Sequence, residues 1–232
     1  MMVRLPYDLR NLGITAHDFL HPSSIHGMGH TLRVSIFAAM IGQMTEHEQE
    51  GQKASVAALF HDLARSNDGE DYLHGKRAAE LVEFKYKEYI LSLGFTHDDI
   101  REMQYAIEWH SYDEEVPPSH PYSLTTYLLK DADALDRIRI KALNPNFLRM
   151  ADGNIMIGMA KDFYYSIIKQ ICITHPNDES MRLACEDIKH WIDTQDSHHS
   201  LLERLSSFSS TTIRRIEDDL ESPFFYYSMI TF

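Results

Sequence analysis

The stretch Ala54-Ser-Val-Ala-Ala-Leu-Phe60 runs directly into His61-Asp62. An apolar run of this kind reads as a buried helix, and it delivers an imidazole and a carboxylate side by side at its end. Burying a charged Asp next to a His under apolar cover is costly unless a cation or a hydrogen-bond partner compensates. Adjacent residues also approach a metal from different directions, which suits a ligand pair. Possible partners lie in order along the chain: His30 in His30-Thr-Leu-Arg33-Val34, His74 before Gly75, His110 in Trp109-His110-Ser111, and Asp133 in Lys130-Asp-Ala-Asp133-Ala-Leu135. This ordered set points to a metal centre rather than to unrelated buried polar residues.

Helical periodicity extends outward from that stretch in both directions. Val34, Phe37, Ala38 and Ile41 share one face of a helix beginning around His30, with Gly27 and Gly29 in a turn that can aim His26 and His30 inward. A second helix is predicted over 54–64, broken by Arg65-Ser-Asn-Asp-Gly69. Further helices are predicted over 75–93 (ended by Gly94), 98–109, 123–142, 161–174, 178–191 and 201–220. Pro117, Pro118, Pro121 and Asn144-Pro-Asn146 mark breaks, and the alternating patch Ile155-Met-Ile157 is too short to change the class. The fold class expected is all-α, without internal repeats. Residues 1–195 read as one domain and 196–232 as a helical appendage. The aromatic run Phe224-Phe-Tyr-Tyr227 would be odd in solvent, so it is expected to pack on the body or on a second subunit, which suggests a homodimer.

Composition narrows the partners. A chain of 232 residues with 44% hydrophobic content suits a globular protein, and its formal net charge of −13 repels nucleic-acid polymers and anionic membranes. A small phosphorylated molecule remains compatible, because local Arg, Lys and metal charge can overcome the distant field. Cys172 and Cys185 lack a CxxC spacing and read as reduced thiols of a cytosolic protein. Neither a signal-like N-terminus nor an apolar stretch long enough to span a bilayer is present, so a soluble, cytoplasmic protein is expected.

The motifs His30-Thr-Leu-Arg-Val34, His61-Asp62 and Ala132-Asp133-Ala-Leu135 resemble, in order, the HxxRV, HD and A-D-x-L elements of the HD-domain superfamily of metal-dependent phosphohydrolases. The resemblance implies an HD-type helical bundle in which His30, His61, Asp62 and Asp133 ligate a divalent metal. Ligand type does not select among Mn, Fe, Co, Ni, Zn and Mg. Asp131 competes with Asp133: Leu124, Leu128, Leu135 and Ile138 share its helical face, whereas the family pattern selects Asp133. His74 and His110 resemble the additional histidines of two-metal members, with Asp62 bridging; alternatively they adjoin a single metal and contact substrate. The direction of His26 is open. His17, His21, His47, His97, His120, His175, His190, His198 and His199 read as surface or packing residues.

The loop after the HD pair carries Arg65, which could reach a substrate phosphate through paired donors or could instead pair with a nearby carboxylate. Asn67 and Asp68 could form its turn. Lys76, Arg77, Lys130 and Arg137 are second-tier anion-binding candidates, since such residues are more often solvated charges on a helix. Arg33 is expected to brace its helix against a carboxylate. The implied chemistry is hydrolysis of a phosphoric ester or anhydride by metal-activated water, with Asp62 orienting that water or bridging metals. His110-Ser-Tyr-Asp-Glu-Glu115 replaces the GYP extension of one cyclic-dinucleotide phosphodiesterase subtype and disfavours it. The alternatives are a di-iron oxygenase of the same superfamily, a non-catalytic nucleotide-sensing module, and an interaction scaffold with a structural His/Asp set.

Overall fold

The computed structural model describes residues 3–23, 25–140, 143–150, 153–175, 177–194, 210–223 and 225–226. Among these residues regular structure is helical throughout, in agreement with the all-α expectation. The elements are α1 (Met28–Met44), α2 (Glu48–Phe60), α3 (His74–Leu81), α4 (Lys87–Ser92), α5 (His97–His110), α6 (Ser123–Asp136), α7 (Gly153–Thr174), α8 (Glu179–Thr194) and α9 (Ser210–Glu221). Among the described residues no helix is long and apolar enough to cross a membrane.

Helix α1 forms the central strut. Leu32, Val34, Ile36, Phe37, Ala38 and Ile41 are all fully buried, so apolar groups surround its axis, as expected of a helix enclosed by others. It packs on α2 and α6, and α5 closes the bundle against α2, α3 and α6. The α1–α2 crossing is unusually close. A Cβ on Gly42 would lie 2.5 Å from Gly51 Cα, so only hydrogen fits between the two backbones. This contact brings the end of α2, and with it His61-Asp62, into register with the start of α1.

Several boundaries differ from the sequence reading. Helix α2 starts at Glu48, well before Ala54, and stops at Phe60; His61 to Ala64 follow as turns, with Leu63 N donating to the Phe60 carbonyl at 3.2 Å. The single helix expected over 75–93 is interrupted by a π-helical turn, Val82–Tyr86, between α3 and α4. A capping box starts α5: the Asp99 amide donates to Thr96 Oγ1 at 3.2 Å, and Thr96 N to Asp99 Oδ2 at 2.8 Å. Helix α6 passes into a 3-10 turn, Arg137–Ile140, while Ala142 lies outside the described residues.

The Ile155-Met-Ile157 patch is helical. Met156, Ala160, Phe163, Ile167 and Ile171 are buried at spacings of three and four, which extends α7 back to Gly153. Of the aromatic tail, Phe225 and Tyr226 are buried in the chain's own core, whereas Phe224 and Tyr227 lie outside the described residues. So do His198, His199 and 201–209, the first part of the helix expected over 201–220.

Candidate metal centre

Each ligand candidate sits at or near a helix end, where the backbone can aim it across the bundle. His30 lies in the first turn of α1, His61 and Asp62 just beyond α2, His74 at the first residue of α3, His110 at the last residue of α5, and Asp133 in the last turn of α6. Five separate segments therefore converge on one place. His30 Nε2 is 3.3 Å from Asp133 Oδ1, 3.5 Å from Asp62 Oδ2 and 3.3 Å from His61 Nε2. On the other side, His74 Nε2 is 3.1 Å and His110 Nε2 3.8 Å from Asp62 Oδ1, and the two imidazole nitrogens are 3.0 Å apart. The ligand atoms form two overlapping triads, His30–His61–Asp133 and His61–Asp62–His110, each within 4.8 Å. Asp62 thus turns one oxygen toward each side.

The outward-facing nitrogens show how this arrangement could hold a cation. His61 Nδ1 donates to the Ala58 carbonyl at 2.7 Å, His74 Nδ1 to Asp71 at 2.5 Å and His110 Nδ1 to Ile107 at 2.5 Å. His30 Nδ1 donates to Asp136 Oδ2 at 2.7 Å. A carbonyl or carboxylate only accepts, so Nδ1 carries the proton, and a neutral ring then presents its Nε2 lone pair to the cluster. Holding a metal-binding histidine through its other nitrogen is the usual outer-shell device of metal sites. Lone pairs 3.0 Å apart, facing carboxylates, repel one another unless positive charge sits between them. Asp62 Oδ1 is buried without a hydrogen-bond partner, which is the orphaned acceptor a cation would satisfy.

The electrostatics agree. Burial pushes the His61 pKa down to about 4, so the ring is neutral at neutral pH and free to ligate. His30 is the exception: burial alone would lower it, but hydrogen bonds to Asp133, Asp136 and Asp62 outweigh that and push it up to about 10, so without a cation this ring is protonated and must lose its Nε2 proton to ligate. Asp62, which burial would raise, is held well below the usual carboxylate range by the surrounding imidazoles of His61, His110, His30 and His74. The residues present therefore fit one or two divalent ions with nitrogen and oxygen donors.

Packing places Asp131 and Asp133 in different surroundings. Asp131 accepts from the backbone amides of Arg149 and Met150 at 2.7 and 2.8 Å and from Arg149 Nη1 at 3.1 Å, which ties down the chain before α7. Asp133 is the one that faces His30. Arg65 stands at the rim: Nη1 is 3.3 Å from His74 Nε2 and 3.5 Å from Asp62 Oδ1, while Nη2 donates to the Gly69 carbonyl at 2.8 Å. Asn67 forms the turn, accepting from Gly69 N at 2.8 Å, and Asp68 turns back to His26 Nδ1 at 3.1 Å. The His26 ring lies edge-on to His30 at 5.7 Å between centroids.

The anion-binding candidate Lys130 points away from the cluster. Its ammonium is buried and donates to the carbonyls of Tyr112 and Glu114 at 2.7 and 3.0 Å, so it pins the loop after α5. Arg77 is spent similarly on the Ala64 carbonyl at 2.9 Å and on Asp71 at 2.5 Å. Lys76 is exposed in a surface groove with Glu80, Phe84 and Tyr105, and Arg137 is exposed at the end of α6. Neither pairs with Asp62 or Asp133.

Arg33 does brace α1 against a carboxylate, but that carboxylate, Asp136, escaped the sequence reading, and so did its other partners Arg139 and Tyr164. The available signal was Asp136 standing three residues after Asp133, on the same side of a helix, while Arg33 lacked a named partner.

No curated protein and no solved structure matched the chain in the comparisons made. The family model of the HD domain matches residues 27–138, the segment that carries all six converging side chains. The chain accordingly contains an HD domain, over residues 27–138.

Proposed function

We propose that the protein is a metal-dependent phosphohydrolase that cleaves a phosphoric ester or anhydride bond of a small molecule, a nucleotide or another phosphoester, by attack of water. The observation that carries this reading is Asp62: its two oxygens face different imidazole groups, and one of them has no hydrogen-bond partner despite full burial. His30, His61, Asp62 and Asp133 would hold one divalent ion; His74 and His110, with the second oxygen of Asp62, would hold another. A divalent ion in such a site acidifies a bound water and polarises a phosphoryl oxygen.

The protein side chains supply orientation and charge. Asp62 is kept ionised at neutral pH and can accept a hydrogen bond from the attacking water. Arg65, anchored through Nη2 on Gly69, points Nη1 at the rim where a phosphoryl oxygen would enter. The overall charge of −13 favours a small substrate over a polymeric phosphate.

The test is elemental analysis of the purified protein, followed by a phosphoester and nucleotide panel with Mn, Co, Ni or Mg added. Phosphate release that needs the cation supports the proposal. Iron content with oxygen uptake, and no phosphate released, would replace it with a di-iron oxygenase. Tight nucleotide binding without turnover under every cation would replace it with a sensing module.

A further inference from the structure

Below His30 lies a second buried polar cluster, and part of it comes from outside the HD segment. Asp136 Oδ1 accepts from Arg33 Nε at 2.7 Å and from the Tyr164 hydroxyl at 2.6 Å; Oδ2 accepts from His30 Nδ1 at 2.7 Å and from Arg139 Nε at 2.6 Å. Arg33 Nη1 in turn donates to the Tyr226 hydroxyl at 2.9 Å, and that hydroxyl donates to the Leu220 carbonyl at 2.9 Å. Glu221 Oε2 accepts from the amide of Gly29, the residue before His30, at 2.8 Å. A Cβ on Gly29 would fall 2.3 Å from the Leu220 oxygen, so the end of α9 lies directly on the backbone that carries the ligand. Tyr164, Leu220, Glu221 and Tyr226 all fall beyond the matched segment 27–138.

We infer that the C-terminal segment is a working part of the metal centre, with Tyr226 and Glu221 as positioning residues that set the orientation of His30. The inference rests on the metal-centre reading above and deepens it. Asp136 can present one oxygen to His30 only while Arg33 and Arg139 stay where they flank it. Tyr226 fixes the far end of the Arg33 guanidinium, a planar fork that cannot satisfy Asp136 and drift independently. Removing the hydroxyl releases Nη1 and lets the guanidinium turn. Asp136 turns with it, and His30 loses the partner that holds its ring and raises its basicity. Glu221 acts on the same ligand through the backbone, by fixing the first turn of α1 and placing a negative charge at that helix N-terminus.

The decisive experiment titrates full-length Tyr226→Phe with Co²⁺, following both affinity and the visible absorption of the bound ion, beside wild type and Tyr7→Phe. Tyr7 is the control because its hydroxyl bonds Ser35 on the same helix, 2.5 Å away in the core, with no link to Asp136. Tyr226→Phe should weaken Co²⁺ binding by roughly 3- to 10-fold, at or below the low end of outer-shell effects, and should shift the absorption bands. Tyr7→Phe should lower the melting temperature in chelator yet bind Co²⁺ as wild type does. Tyr226→Phe matching wild type in affinity and spectrum would overturn the inference alone, as would Tyr7→Phe weakening binding equally. Wild type that binds no divalent cation would remove the metal centre itself. Should Tyr226→Phe fold poorly, Glu221→Gln serves in its place, with a smaller loss of affinity expected and none counting against the inference.

Discussion

Two buried polar clusters share His30, and they differ in how their charges close. Around Asp136 both oxygens are satisfied: Arg33 Nε and the Tyr164 hydroxyl donate to one, and His30 Nδ1 and Arg139 Nε to the other, at 2.6–2.7 Å. Around Asp62 the opposite holds. Imidazole nitrogens face carboxylates and one another, Asp62 Oδ1 lacks a hydrogen-bond partner, and Arg65 reaches only the rim. The first cluster is complete as protein; the second leaves an acceptor that a cation could satisfy. Burial of polar groups therefore says little about function until donors and acceptors are counted.

The harshest way to break this comparison is to remove the open cluster's centre. His61→Ala or Asp62→Ala should abolish measurable cation binding and hydrolysis while circular dichroism retains most of the helical signal; full activity in either variant would reject the site.

The two aspartates should then separate in stability. Asp136→Asn leaves two buried guanidiniums short of their anion and should cost about 3–5 kcal/mol in chelator, whereas Asp62→Asn removes a carboxylate steadied only by the surrounding imidazoles and should cost less. Urea unfolding of both variants would decide the matter, and equal losses would erase the distinction. Cation at about 100 times its dissociation constant should add about 2.7 kcal/mol to wild type, a rise of roughly 5–11 °C in melting temperature, visible by calorimetry.

A subtler effect concerns protons. His30 is held up at about 10 by its carboxylate neighbours, so without cation its contribution to stability is present below its ordinary pKa of about 6.5 and is lost as pH rises toward 10. His61, pushed down to about 4, acts in reverse: it lowers stability as pH falls from about 6.5 toward 4. Ligation needs the His30 lone pair, so cation binding near pH 8 should release about one proton. Calorimetry in buffers of different ionisation enthalpy would read it, and buffer-independent heats would contradict it.

The smallest effects belong to side chains outside both clusters. Lys76→Ala and Arg137→Ala should change stability by no more than about 0.5 kcal/mol and leave phosphate release intact. Lys130→Ala should lose about 1–3 kcal/mol by orphaning two loop carbonyls, again without specific loss of turnover at saturating substrate.

How far the site could be read in advance varied with what each residue answers to. His30, His61, Asp62 and Asp133 stand in a recognisable order, and His74 and His110 are marked by lying at helix ends. Asp131 misled because it does face the core, as its apolar neighbours indicated; it is occupied by the amides of residues 149 and 150, which no helical period reveals. The surroundings of Lys130 are hidden for a related reason, since the loop carbonyls that accept from it arrive from an adjacent turn. The π-helical turn at Val82–Tyr86 leaves the apolar pattern nearly unchanged and was invisible.

What the chain determines by itself is therefore local and repetitive: helices, because apolar residues recur at the helical period, and a ligand inventory, because those residue types appear in order at helix ends. What the tertiary structure alone decided is which acceptors are left over. That depends on distances between segments far apart in sequence, such as Asp136 to His30 or Tyr226 to Arg33. Desolvation fixes their energetic weight only once the bundle has closed around them.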